Sequence, residues 1–334
     1  MNLTGVRPVS YVTGGGGFLG GHLVRSLLEE GCRIVVIEKP GFNSSNMHQS
    51  IELRLADIRD SGAVEAALAD CAGAEVYHLA ANPHLWAVDP AEFDAVNHRG
   101  AVHVIESALK HGASKVLHCS TESILTKKNW AIGKVIDEQV EIDESDAVGP
   151  YCLSKLRAEN FAMEKGLSGR PVVVANPTMP VGPNDPGPSP PTCLIRDCIE
   201  GRMPGYMDCA LNLVDARDVA TGLIKVMRNG VPGRRHLLSG ENLMLLELLV
   251  ILSRLSGRPV PRLKIPYPVG LSYAYVSEWF ASHLTGKRPQ ATVTGLKLAR
   301  RVMHFDASAT RRLLGWEPRP IEESLRDSLT WLNL

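Results

Sequence analysis

The chain has 334 residues, of which 44% are hydrophobic and 22% charged, a composition that supports a packed core and excludes a disordered chain. Its 36 Lys and Arg balance its 36 Asp and Glu, so the basic excess that marks a nucleic-acid or acidic-membrane partner is absent. Thirty glycines and 22 prolines against 5% aromatics point to many tight loops around an aliphatic core, at a length that suits about two domains.

The chain runs from Met1 through Arg7 and Pro8 straight into a strand-like segment, without an apolar leader, and no run of eighteen uncharged apolar residues occurs. The expectation is a cytoplasmic protein with no spanning helix. Seven cysteines, an odd number without a Cys-x-x-Cys pair, read as reduced buried thiols rather than a disulfide framework or a metal site.

Val9 to Thr13 is a short apolar strand, followed by glycines and a helix to Glu30 that Gly31 stops. Arg33–Glu38 and Glu52–Ala56 read as the second and third strands, with a helix from Ser61 to Asp70 and a fourth strand over Val76–Ala80. A long helix follows over Ala91–His111, then a strand over Lys115–Cys119, a helix over Tyr151–Lys165 and a strand over Pro171–Ala175. This alternation of Val/Ile/Leu-rich strands with helices predicts an α/β fold, a doubly wound parallel sheet covered on both faces. Seven prolines between Asn176 and Pro191 predict a structured loop or lid. Helices are expected at Pro191–Glu200, Val219–Arg228 and Leu243–Leu255, with an amphipathic run from Val269 to Leu284. Residues 1–180 then form a Rossmann-type domain. Residues 181–334 form a smaller, mostly helical substrate-binding cap without a complete sheet of its own, with segments near 205–240 returning to the core.

Between the first strand and its helix lies Thr13-Gly-Gly-Gly-Gly-Phe-Leu-Gly20, in which Gly14, Gly17 and Gly20 have the spacing Gly-x-x-Gly-x-x-Gly. A tight turn there needs residues without Cβ, and the helix opening at Phe18 and Leu19 offers unpaired N–H groups to a pyrophosphate. Glu38 closes the second strand 24 residues after Gly14, where a carboxylate accepts from adenosine ribose hydroxyls and repels a 2′-phosphate. NAD(H) is therefore favoured over NADP(H), although Lys39 beside it is a cation that could receive that phosphate. Asp57 is placed to reach the adenine, and Leu79, Ala80 and Ala81 let the cofactor lie against backbone.

Tyr151 and Lys155 form Tyr-x-x-x-Lys at a helix start, so both project from one face. A phenol titrates near ~10, and an ammonium close by would lower it toward use as a base. The hydroxyls of Ser120 and Thr121 end the preceding strand.

With these marks the chain resembles an extended short-chain dehydrogenase/reductase over nearly its whole length. The matching residues are Thr13 to Gly20, Asp57-Ile58, His78-Leu-Ala-Ala81, Asn97, Cys119-Ser-Thr121, Tyr151 to Lys155, Asn176-Pro177 and Leu314-Gly-Trp-Glu-Pro318. Within that superfamily it is most similar to the hopanoid-associated sugar epimerase family, near the 3β-hydroxysteroid dehydrogenases and dihydroflavonol reductases. The residues behind the narrower match are Leu85 to Pro90, Asn176 to Pro183, Gly201 to Pro204 and Leu211 to Val214. The resemblance implies Thr121 as catalytic hydroxyl, with Ser120 as the alternative, Tyr151 as proton-transfer group and Lys155 as anchor of cofactor and phenolate. It adds Ile58, Asn97 and Pro177 to the cofactor site and implies a homodimer through the Ala91–His111 and Tyr151–Lys165 helices.

Three functions remain open: redox chemistry on a hydrophobic molecule, nucleotide-sugar epimerisation or dehydration, and cofactor binding without catalysis. Leu211 stands where nucleotide-sugar members carry a diphosphate-gripping Arg, and Glu122-Ser123 replaces the Asp-Glu of sugar dehydratases, so the first reading leads. A stripe of Leu271, Tyr275 and Trp279 would wall a pocket for an apolar ligand or pack on the core. His84, Trp86, Glu122 and Met179 are the remaining substrate-site candidates.

Overall fold

The computed structural model describes residues 9–334 apart from positions 46, 129, 131–133, 262 and 302, so the reading of Met1 to Pro8 lies outside the described residues. Its first half begins β1 (Val9–Thr13), α1 (Phe18–Glu29), β2 (Arg33–Glu38), β3 (Glu52–Leu55), α2 (Ser61–Leu68) and β4 (Glu75–His78), alternating except between β2 and β3. The expected long helix follows as one run with a widened middle, α3 (Ala91–Phe93), a π-helical turn over Asp94–Arg99, and α4 (Gly100–Lys110). Then come β5 (Lys115–Cys119), β6 (Val135–Ile136), α5 (Gly149–Leu167) and β7 (Val172–Pro177).

The second half holds β8 (Met179–Val181), α6 (Pro190–Ile199), β9 (Ala210–Asp215), α7 (Ala216–Asn229), β10 (Arg235–Leu238) and β11 (Glu241–Met244). It ends with α8 (Leu245–Ser256), α9 (Tyr267–Phe280), α10 (Val293–Ala299), β12 (His304–Phe305), α11 (Ser308–Leu314) and α12 (Ile321–Leu332).

Seven parallel strands form the main sheet in the order β10-β7-β5-β4-β1-β2-β3. Side chains on a strand alternate between faces, so Val12, Ile34, Val36 and Leu117 join one core with α1 and α7. Tyr11, Val35, Ile37 and Val116 join another with α2 and α4. Both faces are dry, which is why these strands read as unbroken apolar runs.

The chain reverses direction across the sheet between β1 and β4. Their carboxyl ends therefore frame a crevice, the place where open α/β sheets bind ligands. There Thr13 Oγ1 shares a hydrogen bond with His78 Nδ1 at 2.8 Å and accepts from the Ala80 N–H at 3.2 Å, tying the two strand ends together.

Two expectations about the second half are corrected. It has a sheet of its own, β11-β9-β8, with β11 antiparallel and β8 parallel to β9. The proline-rich segment is not loop throughout: β7 runs on to Pro177, β8 follows, and α6 starts on Pro190. Proline is tolerated at strand edges and at a helix's first turn, where no N–H partner is lost. From 205 to 240 the chain crosses back, placing α7 against α1 and β10 on the outer edge of the main sheet.

Candidate active site

The glycine loop is shaped by contacts that a Cβ would abolish. Gly14 holds φ +73°, and a Cβ there would lie 2.7 Å from the Ala80 nitrogen and 2.8 Å from its Cα. A Cβ on Gly20 would run into the Gly14 carbonyl oxygen, so the first turn of α1 lies directly on the loop. Gly17 is the N-cap and brings no side chain, which leaves the N–H groups of Phe18 and Leu19 at the helix mouth for an anion. These features fit a dinucleotide pyrophosphate.

Glu38 ends β2 with its Oε1 accepting the Gly16 N–H at 2.8 Å, and burial raises its pKa against the pull of that bond and of Lys39. Lys39 is exposed. Asp57 is engaged by Arg59, which donates its backbone N–H at 2.9 Å and its guanidinium at 2.5 Å, holding the carboxylate below the usual range. Ile58 is buried against Gly100. Leu79, Ala80 and Ala81 are half-buried just beyond β4, whose last residue is His78.

Asn97 lies on the π-helical turn, fully buried. Its Oδ1 accepts the Asn82 N–H at 2.8 Å, while Nδ2 donates to the Asn82 carbonyl at 3.1 Å and to Ser154 Oγ at 3.2 Å. In this arrangement it clamps the loop after β4 onto α5. Pro177 is buried at the end of β7.

Tyr151, Lys155 and Glu159 stand at i, i+4 and i+8 on α5, all buried. Lys155 Nζ donates to the Cys119 carbonyl at 2.7 Å. Burial lowers its pKa, and the charge of Glu159 one turn on opposes that shift. Glu159 itself pairs with Arg235 of β10 at 2.5 Å and accepts from Asn176 Nδ2 at 2.5 Å, and that amide also donates to the Thr121 carbonyl at 3.3 Å. One carboxylate therefore fixes the helix bearing Tyr151 and Lys155 to the strand end bearing Thr121. Sequence alone did not single out Glu159, although its spacing from Lys155 repeats that of Lys155 from Tyr151.

Thr121 caps a short 3₁₀ turn. Its Oγ1 donates to Glu122 Oε2 at 2.9 Å and shares a bond with Ser123 Oγ at 3.1 Å, and it lies close enough to Tyr151 to favour the phenolate slightly. Burial pushes Glu122 up to about 7, with the Thr121 bond opposing. Tyr151 is driven upward too, first by burial and then by the charges of Cys152 and Glu122, so it is a phenol here, and the ammonium of Lys155 is committed to a carbonyl. Among the described residues Ser120 Oγ, buried beside this group, has no hydrogen-bond partner.

The surroundings of Tyr151 are apolar: Phe93 meets its ring edge-on at 6.1 Å, and Ile124, Leu125 and Val148 join the same cluster with half-buried Leu85 and Ala87. His84 and Trp86 are half-buried in the loop beyond β4, where burial and Arg288 hold the imidazole neutral. Met179 and Leu211 belong to the apolar cluster of the second half. The expected stripe of Leu271, Tyr275 and Trp279 is corrected: α9 buries Ala274, and Tyr275 and Trp279 face outward. Among the described residues no His/Cys/Asp/Glu group could hold a metal ion, and no helix is long and apolar enough to cross a membrane.

Comparison with known proteins agrees with this geometry. The profile of the NAD dependent epimerase/dehydratase family matches residues 10–238. A "Putative dihydroflavonol 4-reductase" of Synechocystis sp. is 31% identical over 328 residues, covering 97% of this chain and 94% of that protein. "Sterol demethylase protein B" of Methylococcus capsulatus is 29% identical over 331 residues, covering 96% and 97%. The crystal structure of gox2253 superposes with a TM-score of 0.84 at 32% identity, covering 98% of each chain. The chain belongs to the NAD dependent epimerase/dehydratase family, as a Rossmann-type enzyme of the extended short-chain dehydrogenase/reductase class.

Proposed function

We propose that the chain is an NAD(H)-dependent reductase that converts a ketone on a hydrophobic small molecule to a hydroxyl. The observation that carries this reading is the buried Thr121–Tyr151–Lys155 group, enclosed by aliphatic and aromatic side chains, with its phenol kept protonated. A protonated phenol suits the reducing direction, in which the substrate oxygen must gain a proton. Bound NADH supplies the hydride. Thr121 Oγ1 orients the substrate oxygen, Tyr151 gives it the phenolic proton, and Lys155 stabilises the phenolate left behind while holding the nicotinamide ribose.

Aliphatic Leu211 argues against a diphosphate in the substrate pocket. The names of the two relatives, a dihydroflavonol reductase and a sterol demethylase protein, point to the same apolar class of ligand. Glu38 favours NADH over NADPH, because its half-buried carboxylate would face a 2′-phosphate. The working unit is a homodimer paired through α4 and α5.

The test is NADH oxidation against polycyclic and aryl ketones in parallel with nucleotide sugars, repeated with Tyr151→Phe. Turnover of the ketone should fall at least ~10²-fold in the variant with NADH affinity preserved. Turnover of a nucleotide sugar alone, or near-normal ketone turnover by the variant, refutes the scheme.

A further inference from the structure

The outward face of α9 is the most unusual surface of the molecule. Val269, Tyr273, Tyr275, Val276, Trp279 and Phe280 are each between 49% and 59% exposed, although all are large and apolar. Ala274 is the buried residue of the helix, so its side toward the protein is narrow. At 100° per residue, positions 269, 272, 276, 279 and 280 fall opposite Ala274. Exposed Leu263 and Leu284 extend the patch at both ends, and contiguous apolar surface of this kind marks an interaction site.

Charge identifies the occupant. Although the whole chain is neutral, residues 257–304 contain eight Lys and Arg and one acid, Glu278. That carboxylate accepts the Val293 N–H at 2.7 Å, away from the outward face. Lys287 and Arg288 are exposed and border a groove shared with Tyr273, Val276 and Phe280, and Lys264, at the other end, is paired with Asp208. Aromatic and aliphatic side chains between flanking cations are the pattern of a helix lying in a lipid headgroup layer. A second copy of the same face would bring two cationic segments together.

We propose that α9 and its basic flanks dock on an anionic lipid surface. The patch adjoins the active site, since Leu85 of the loop beyond β4 packs beside α10 at Gly295 and the charge of Arg288 reaches His84. Docking therefore sets the mouth of the substrate site against the phase in which an apolar substrate dissolves. That consequence rests on the reductase reading; the docking does not, because it is measured without turnover.

The experiment is sedimentation of the full chain with phosphatidylcholine vesicles, with and without phosphatidylglycerol, in low and high salt. The wild type should bind the phosphatidylglycerol vesicles and release them in salt. Trp279→Ser with Phe280→Ser should lose at least about tenfold in affinity, with turnover of a soluble ketone in the absence of vesicles unchanged. Lys287→Gln with Arg288→Gln should lose about fivefold per charge removed. No binding to anionic vesicles, or equal binding by the variants, overturns the proposal. So does a change of sedimentation coefficient between wild type and the Trp279→Ser, Phe280→Ser variant without lipid, which would show that a second copy covers the face.

Discussion

Replacing Glu122 by Gln keeps the shape of the side chain and an oxygen to accept from Thr121, and removes the charge. In the folded protein the Glu122 carboxyl titrates at about 7, against 4.5 for an unburied glutamate. The folded chain thus holds this proton over a pH range in which the unfolded chain has already released it. Because the folded value is raised, stability is fully present below about pH 4.5 and is lost as pH rises through about 7. At 1.36 kcal/mol per pH unit, the loss amounts to about 3 kcal/mol. Glu122→Gln has no such proton to lose, so its advantage over the wild type should grow by about 2.5 kcal/mol between pH 5 and pH 8. Urea denaturation of both proteins across this range measures it. The same variant removes a negative neighbour that raises Tyr151, so its activity profile should shift toward lower pH. Parallel stability curves for the two proteins would refute the burial argument, because a carboxyl with an ordinary pKa gives no difference in that window.

Gly14→Ala forces a side chain into the left-handed region, at about 1–2 kcal/mol, as well as into Ala80. Its melting temperature should fall by several degrees and NADH affinity with it; a wild-type melt and affinity would contradict the packing described. Titration of the two reduced dinucleotides by fluorescence should give tighter binding of NADH, whereas tighter binding of NADPH would assign Lys39 the deciding role. Sedimentation equilibrium at micromolar concentration should give a dimer, and a monomer would remove α4 and α5 as an interface.

The main sheet was legible because its strands are buried on both faces and read as continuous apolar runs such as Ile34 to Ile37. The small sheet was not. Its strands are three to six residues long, Met179–Val181 is embedded among prolines, and Glu241–Met244 is largely exposed, so no run or alternation announces them. The π-helical turn at Asp94–Arg99 was hidden for another reason: the backbone widens to place Asn97 against Asn82 and Ser154, and only tertiary contact shows that demand. In the site, Tyr151 and Lys155 could be paired from spacing because one helix carries both. Arg235 meets Glu159 across 76 positions, and no local pattern predicts it. The outward turn of Tyr275 and Trp279 was hidden because an apolar stripe reads the same whether it meets the core or something outside the chain.

The electrostatics support the role proposed for Lys155 as the one cation in a deeply buried group. Burial lowers His78 to about 3 and holds His118 well below its usual value, while the Cys119 thiol is raised to about 11, so these neighbours of Lys155 are neutral across the physiological range. The ammonium meets no competing cation among them. It donates to the Cys119 carbonyl, and one helical turn away the charge of Glu159, which Arg235 and Asn176 hold in place, favours its charged form. A neutral Lys155 would leave Glu159 and Arg235 balanced on their own, so the pair acts chiefly as a brace. In the proposed reduction the charge of Lys155, shared with the Cys119 carbonyl, would stabilise a negative oxygen formed near it. Tyr151 is raised by burial and by Glu122, so in the proposed scheme its proton would leave only once such charge compensation is supplied. The burial that makes the phenol a poor acid would, in that scheme, tie its proton release to the reaction itself.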